Sequence, residues 1–253
     1  MKKSFTYYFK EVFARIWAVW GLLSFFITFL IIFIPSMLTY LIKGNKGQYA
    51  FILVSKVWMR TWLFLIGCSL KIKGIENFKK GETYIITFNH NTLLDVPITC
   101  PFIPGANKTI AKSSFTKIPL FGSFYRKGAV LVDRKSDKSR RESYNEMKRV
   151  LAQKMFMCIY PEGTRNRTKD LLKPFYDGAF KLSAETKVAI LPGLLFNTNK
   201  AQPNNKFLYL LPTKLEMHFL QPIAPRELTS KELRDEVFNV MLEYYGQHKN
   251  NIG

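Results

Sequence analysis

Acidic residues, histidine and cysteine are all scarce in this chain, and each shortage narrows what it can do. Only 18 Asp and Glu stand against 38 Lys and Arg, so the formal net charge is +20 over 253 residues. A balance this basic calls for a polyanionic partner, either nucleic acid or the anionic face of a membrane. The three histidines, His90, His218 and His248, do not have the spacing of a zinc site. No metal and no cofactor is expected. Three cysteines, Cys68, Cys100 and Cys158, form no C-x-x-C pair and read as reduced core thiols of a cytosol-facing protein. Neither repeats nor low-complexity tracts occur, and no linker follows Leu70.

The chain does have a long charge-free run. From Ile16 to Ile42 no charged residue interrupts it, which exceeds the ~20 residues a helix needs to cross hydrocarbon. Pro35 is expected to kink or split that helix. A loop over Lys43–Gly47 and a second apolar segment, Tyr49–Leu70, follow. Lys56 and Arg60 share one face of that segment, as in a helix lying at a membrane interface. Basic residues flank the run on both sides: Lys2, Lys3, Lys10 and Arg15 before it, Lys43 and Lys46 after it. Charge bias therefore selects no single crossing, and a kinked dip or hairpin with both ends cytoplasmic fits equally well. Residues 1–70 read as a membrane-anchoring helical segment and 71–253 as a soluble α/β domain. A nucleic-acid-binding protein, the alternative for so basic a chain, would interleave cations with aromatics on a groove or recognition helix. The lipid-grade run argues against it.

Within 71–253 the pattern is α/β. Apolar strands are expected at Tyr84–Phe88, Gly128–Val132, Phe156–Tyr160, Val188–Leu195 and Lys214–Leu220. Helices are expected over 137–154 and from a Thr229-x-x-Glu232 capping box to Gly246. Leu233, Val237, Val240, Met241 and Tyr244 should face inward on the latter. These elements make a central mixed sheet flanked by helices, preceded by a membrane-embedded helical pair.

Chemistry concentrates after the first of those strands, in Phe88-Asn89-His90-Asn91-Thr92-Leu93-Leu94-Asp95. If the strand ends near Asn89 and the chain doubles back into a helix, Asp95 can meet the His90 ring. An imidazole so oriented can take a proton from a substrate hydroxyl while the carboxylate fixes its tautomer. The stretch supplies no Ser or Cys nucleophile, so the attacking oxygen would belong to the substrate. A second loop, Tyr160-Pro161-Glu162-Gly163-Thr164-Arg165, also follows a strand, at the edge where open α/β sheets bind ligands.

Four ordered blocks resemble the lysophosphatidic acid acyltransferases (1-acylglycerol-3-phosphate O-acyltransferases). They are Asn89-His90-x4-Asp95; Lys112 with Ile118-Pro119-x-x-Gly122 and Gly128 to Arg134; Tyr160 to Arg165; and Leu191-Pro192. The resemblance runs from about Leu70 to Thr198, and bacterial members also carry an N-terminal helical pair. It implies that His90 is the base and Asp95 its orienter. Lys112, Arg134, Glu162, Gly163, Thr164 and Arg165 would bind the substrate phosphate, with Asn89, Pro119, Gly122, Pro161 and Pro192 as motif support. It further implies acyl-CoA or acyl carrier protein as donor, lysophosphatidic acid as acceptor, anionic lipids as neighbours, and an active site on the cytoplasmic face of a membrane. Another lysolipid acceptor is the nearest alternative. An Arg165–Glu162 surface pair would be the bland reading of that arginine. Thr92 and Asn166 stand where the family commonly has Ser.

Overall fold

The computed structural model describes residues 4–249, so Lys2 and Lys3 lie outside it. Strands β1 (Ser69–Lys73), β2 (Ile85–Phe88), β3 (Asn107–Lys112), β4 (Ala129–Val132), β5 (Phe156–Ile159), β6 (Ile190–Phe196) and β7 (Lys214–Phe219) form one sheet among the described residues. Its order is β1-β7-β6-β2-β5-β3-β4. All neighbours are parallel except β6 and β7, which run antiparallel. The sheet is therefore mixed, as expected. Every residue of β2 and β6 is buried, which is how strands covered on both faces read: continuous apolar runs in place of alternation.

Helices α1 (Phe5–Leu38) and α2 (Gly44–Leu65) cover one face of the sheet. Between strands lie α3 (Asp95–Thr99), α4 (Phe121–Gly128), α5 (Asp137–Ala152), α6 (Gly178–Thr186) and α7 (Thr198–Ala201). The chain closes with α8 (Ser230–His248). Ile86 and Phe88 pack in the cluster that holds Trp58, Met59, Trp62 and Leu63 of α2. Ile85 points into the opposite cluster, with Met147 of α5, Leu182 of α6 and Val237 of α8. That alternation is the two-residue period of a strand.

Several expectations change. Helix α1 begins eleven residues before the charge-free run, capped by the Ser4 hydroxyl, and continues through Pro35 without being split. At 34 residues it is about 50 Å long. The loop expected at 43–47 is shorter, because α2 starts at Gly44. Helix α8 runs past Gly246 to His248, and Tyr245 and not Tyr244 is its buried aromatic, while Val240 is exposed.

Nor does packing break at residue 70: a single cluster joins Ala18 and Phe29 of α1, Trp58 and Trp62 of α2, and Leu191 and Leu215 of the sheet. The four tryptophans of the chain lock the helical pair. Trp17 and Trp20 donate to the carbonyls of Ile66 and Leu65, each at 2.9 Å, groups that a helix end leaves unpaired. Trp58 donates to Thr28 Oγ1 and Trp62 to the Gly21 carbonyl, also at 2.9 Å. Small residues Ala14, Ala18, Gly21 and Ser24 form the buried stripe of α1, while its other side exposes Phe9, Ile16, Ile31 and Ile34. By length and composition α1 can cross a membrane.

Candidate active site

The end of β2 is fixed before any chemistry begins. Phe88 lies over Gly193 so closely that a Cβ there would sit 2.4 Å from its ring. Asn89, fully buried, then replaces the next rung of the sheet: its side chain donates to the Leu195 carbonyl at 3.0 Å and accepts the Leu195 N–H at 2.7 Å. The backbone turns out of the sheet at His90.

Asp95, the first residue of α3, has no solvent exposure. Its Oδ2 accepts from His90 Nδ1 at 2.9 Å, from the Asn91 N–H at 2.5 Å and from the Thr92 N–H at 2.7 Å. The Thr92 hydroxyl donates to Oδ1 at 3.3 Å, so the residue in the family's Ser position serves the carboxylate. An ionised carboxylate only accepts, so Nδ1 carries the ring proton and Nε2 keeps its lone pair. Nε2 has no partner among the described residues, and the Tyr160 ring packs 4.6 Å from the imidazole. Tyr160 is itself pinned by a 2.6 Å hydrogen bond between its hydroxyl and Thr99.

The second loop holds the His90 peptide from both ends. Glu162 Oε1 accepts the His90 N–H at 2.7 Å and Oε2 accepts the Lys173 N–H at 3.0 Å, while the Asn166 N–H donates to the His90 carbonyl at 2.6 Å. Burial raises the Glu162 carboxyl above its usual range, and these two N–H groups oppose the rise. Glu162 was expected to bind phosphate. With no exposure and both oxygens taken by backbone donors, this acceptor-only group is a brace for His90 instead, and it forms no pair with Arg165.

His90 lines a cavity of about 350 Å³ that runs between α1, α2 and the β3–β4 edge. Phe25, Phe51, Trp58, Ile110 and Phe124 make its wall apolar. Lys112, Arg134 and Gly163 share the lining, and the two cations are exposed, marking the open end. Arg134 also donates to the Gly163 carbonyl. Gly163 has φ +70°, and a Cβ there would meet the Tyr176 ring at 2.7 Å. Burial pushes the cavity phenol of Tyr125 up to about 12.

Arg165 is half-buried beside the loop but is not part of the cavity wall, and Thr164 is exposed. Lys173, to which the sequence assigned no chemistry, donates to Thr164 Oγ1 at 2.6 Å and adds a cation to this loop. The support residues act on the backbone. Gly122 lies against the Thr116 carbonyl, 2.2 Å from where a Cβ would stand, next to Pro119 at the start of α4. Pro161 accepts the Tyr176 N–H at 2.9 Å, and Pro192, opposite Thr87 in the sheet, accepts the Leu220 N–H at 2.8 Å. Sequence reasoning missed α1 and α2 as cavity walls, and it missed the segment after β6, which touches the His90 loop.

The acyltransferase family model matches residues 69–195, half of the chain. A 1-acyl-sn-glycerol-3-phosphate acyltransferase of Saccharomyces cerevisiae is 26% identical over 237 residues, 83% of this chain and 78% of that protein. Those of Cocos nucifera and Borreliella burgdorferi are 29% and 32% identical over 70% and 54% of this chain. The chain spans 57% and 55% of their respective lengths. The crystal structure of a 1-acyl-sn-glycerophosphate (LPA) acyltransferase from Thermotoga maritima has the same fold, with a TM-score of 0.77 at 19% identity, over 95% of this chain and 98% of that one. A histidine and carboxylate braced at the end of a sheet strand thus sit inside a matched region long enough to decide the relationship, and the chain belongs to the acyltransferase family.

Proposed function

We propose that this enzyme transfers a fatty acyl group from a thioester donor, acyl-CoA or acyl carrier protein, to the sn-2 hydroxyl of 1-acylglycerol-3-phosphate, producing phosphatidic acid. One observation carries the reading: an imidazole with its tautomer set by a buried carboxylate borders an apolar cavity whose open end is cationic. The reaction needs those three parts. His90 Nε2 takes the proton of the acceptor hydroxyl, and the freed oxygen attacks the thioester carbonyl. The tetrahedral adduct collapses, the C–S bond breaks, and the imidazolium returns its proton to the departing thiolate. Asp95 holds the ring and stabilises its positive form. The donor's acyl chain fits the apolar cavity. Arg134 and Lys112 at the open end, with Arg165 and Lys173 at the neighbouring loop, are the cations available to the phosphate, and a guanidinium can hold two of its oxygens.

The names of the yeast, coconut and Borreliella relatives support this acceptor. The exposed apolar side of α1 supports attachment to a membrane, with the active site facing the cytoplasm, where both donors and reduced thiols are found. The test is acyl transfer by the purified full-length protein from labelled acyl-CoA and acyl carrier protein, with lysophosphatidic acid and lysophosphatidylcholine compared as acceptors. Preference for lysophosphatidic acid is expected. Preference for the diester moves the assignment to another lysolipid.

A further inference from the structure

The match to the family ends at residue 195, yet the chain just beyond it returns to the His90 loop. From Asn197 to Leu210 it crosses from the end of β6 to α1, and three of its side chains reach that loop. Thr198 Oγ1 accepts from Asn91 Nδ2 at 3.3 Å, and Gln202 Oε1 accepts the Leu94 N–H at 3.1 Å. Asn204 Nδ2 donates to the Asn91 carbonyl and, at 3.0 Å, to the Asn166 carbonyl.

Asn204 is thus bonded to both motif loops at once, one residue after His90 on one side and at the residue that clips the His90 carbonyl on the other. The far end of the segment is anchored to the N-terminal half of α1. Lys206 pairs with Glu11, Arg15 donates to the Phe207 carbonyl at 2.8 Å, and the Leu210 N–H donates to the Ala14 carbonyl at 3.1 Å. A strap held at one end by a long helix can keep the amide of Asn204 at a set distance from two carbonyls. Without those two N–H donors the loops keep, near His90, the Glu162 and Asn166 hydrogen bonds and the Tyr160 ring contact.

We propose that Asn204 is a positioning residue for the His90–Asp95 pair, acting by fixing the two loops against each other. The inference rests on His90 being the base. It makes no contact between Asn204 and substrate, so the effect should fall on turnover and not on binding.

The experiment compares full-length parent, Asn204→Ala, Asn204→Asp and His90→Ala with labelled acyl-CoA and lysophosphatidic acid, recording kcat, both KM values, the pH profile of kcat and the melting temperature. Asn204→Asp keeps the shape but removes both donors and turns an acceptor toward two carbonyls. Both Asn204 variants are expected to lose about ten-fold in kcat with KM values within about two-fold of the parent. Each should stay folded at the assay temperature, with the alkaline plateau of the pH profile lowered. Parent-like kcat in Asn204→Asp overturns the proposal, as does a loss of activity that tracks unfolding. If His90→Ala is dead while the Asn204 variants turn over normally, the strap proposal alone fails. An active His90→Ala enzyme removes the base on which the proposal rests, and the proposal falls with it.

Discussion

Two histidines in this fold make opposite use of the same ring. His218 in β7 has both nitrogens engaged: Nε2 with Glu216 at 2.6 Å and Nδ1 with the Tyr244 hydroxyl at 3.1 Å, at 1% exposure. His90 has one nitrogen tied to a carboxylate that is itself held by two backbone N–H groups, and its other edge borders a cavity. A ring bound on both sides links β7 to α8. A ring bound on one side, by a partner that cannot move, keeps a lone pair for chemistry. The comparison teaches that candidacy for catalysis lies in the unengaged nitrogen and its rigid backing, since a carboxylate partner is common to both.

Removing the open ring breaks the comparison most severely. His90→Ala is expected to lower kcat by roughly 10²–10⁴-fold with acceptor KM near that of the parent, read from initial rates. Asp95→Asn comes next, at roughly 10²-fold. Its amide oxygen, at the Oδ2 position, can still accept from the Asn91 and Thr92 N–H groups and from Nδ1, so the tautomer is kept but the negative charge that stabilises the imidazolium is lost. A parent-like kcat in this variant would show that the carboxylate's charge does not stabilise the imidazolium. Arg165→Ala leaves the ring alone and should raise the acceptor KM about ten-fold, the worth of one charge-assisted hydrogen bond. Arg165→Lys should recover part of that. Equal loss toward lysophosphatidic acid and lysophosphatidylcholine would mean that Arg165 does not read the phosphate.

The closed ring gives the smallest effect, and it appears in stability. Burial holds the His218 pKa below its usual 6.5, outweighing the pull of Glu216. The unfolded chain therefore binds this proton more readily, so the contribution is present above about 6.5 and is lost as pH falls through the folded value. Melting temperature should decline on acidification from about pH 7 toward 5, and His218→Gln should flatten that decline. Identical slopes in parent and variant would assign the acid sensitivity elsewhere.

What the sequence disclosed depended on how local the cause was. The His90–Asp95 contact spans five residues and one turn, so strand pattern and spacing suffice to anticipate it. Strand β3 was missed because Asn107-Lys108-Thr109-Ile110-Ala111-Lys112 has little apolar character, and only its place between β5 and β4 makes it a strand. The first turns of α1 were hidden by Lys10, Glu11 and Arg15, and Glu11 finds its partner at Lys206, far along the chain. Hydrophobicity also could not separate residues that face lipid from those that face the sheet, so the buried side of α2 was read as anchor. Glu162 carried a family expectation of ligand contact, whereas its two partners are backbone groups that no side-chain pattern announces. Asn204 had no signal at all.

The cavity between the helical pair and the sheet edge also sets an order of events at birth. One wall, Phe25 to Met59, leaves the ribosome long before the opposing wall, Thr109 to Arg134, exists. Until then the aromatic inner faces of α1 and α2 have no protein to rest on, and exposed apolar surface of that kind drives aggregation of partly made chains. The nascent pair needs an apolar host for that interval. A cavity half built from the first helices is therefore best completed beside an apolar surface.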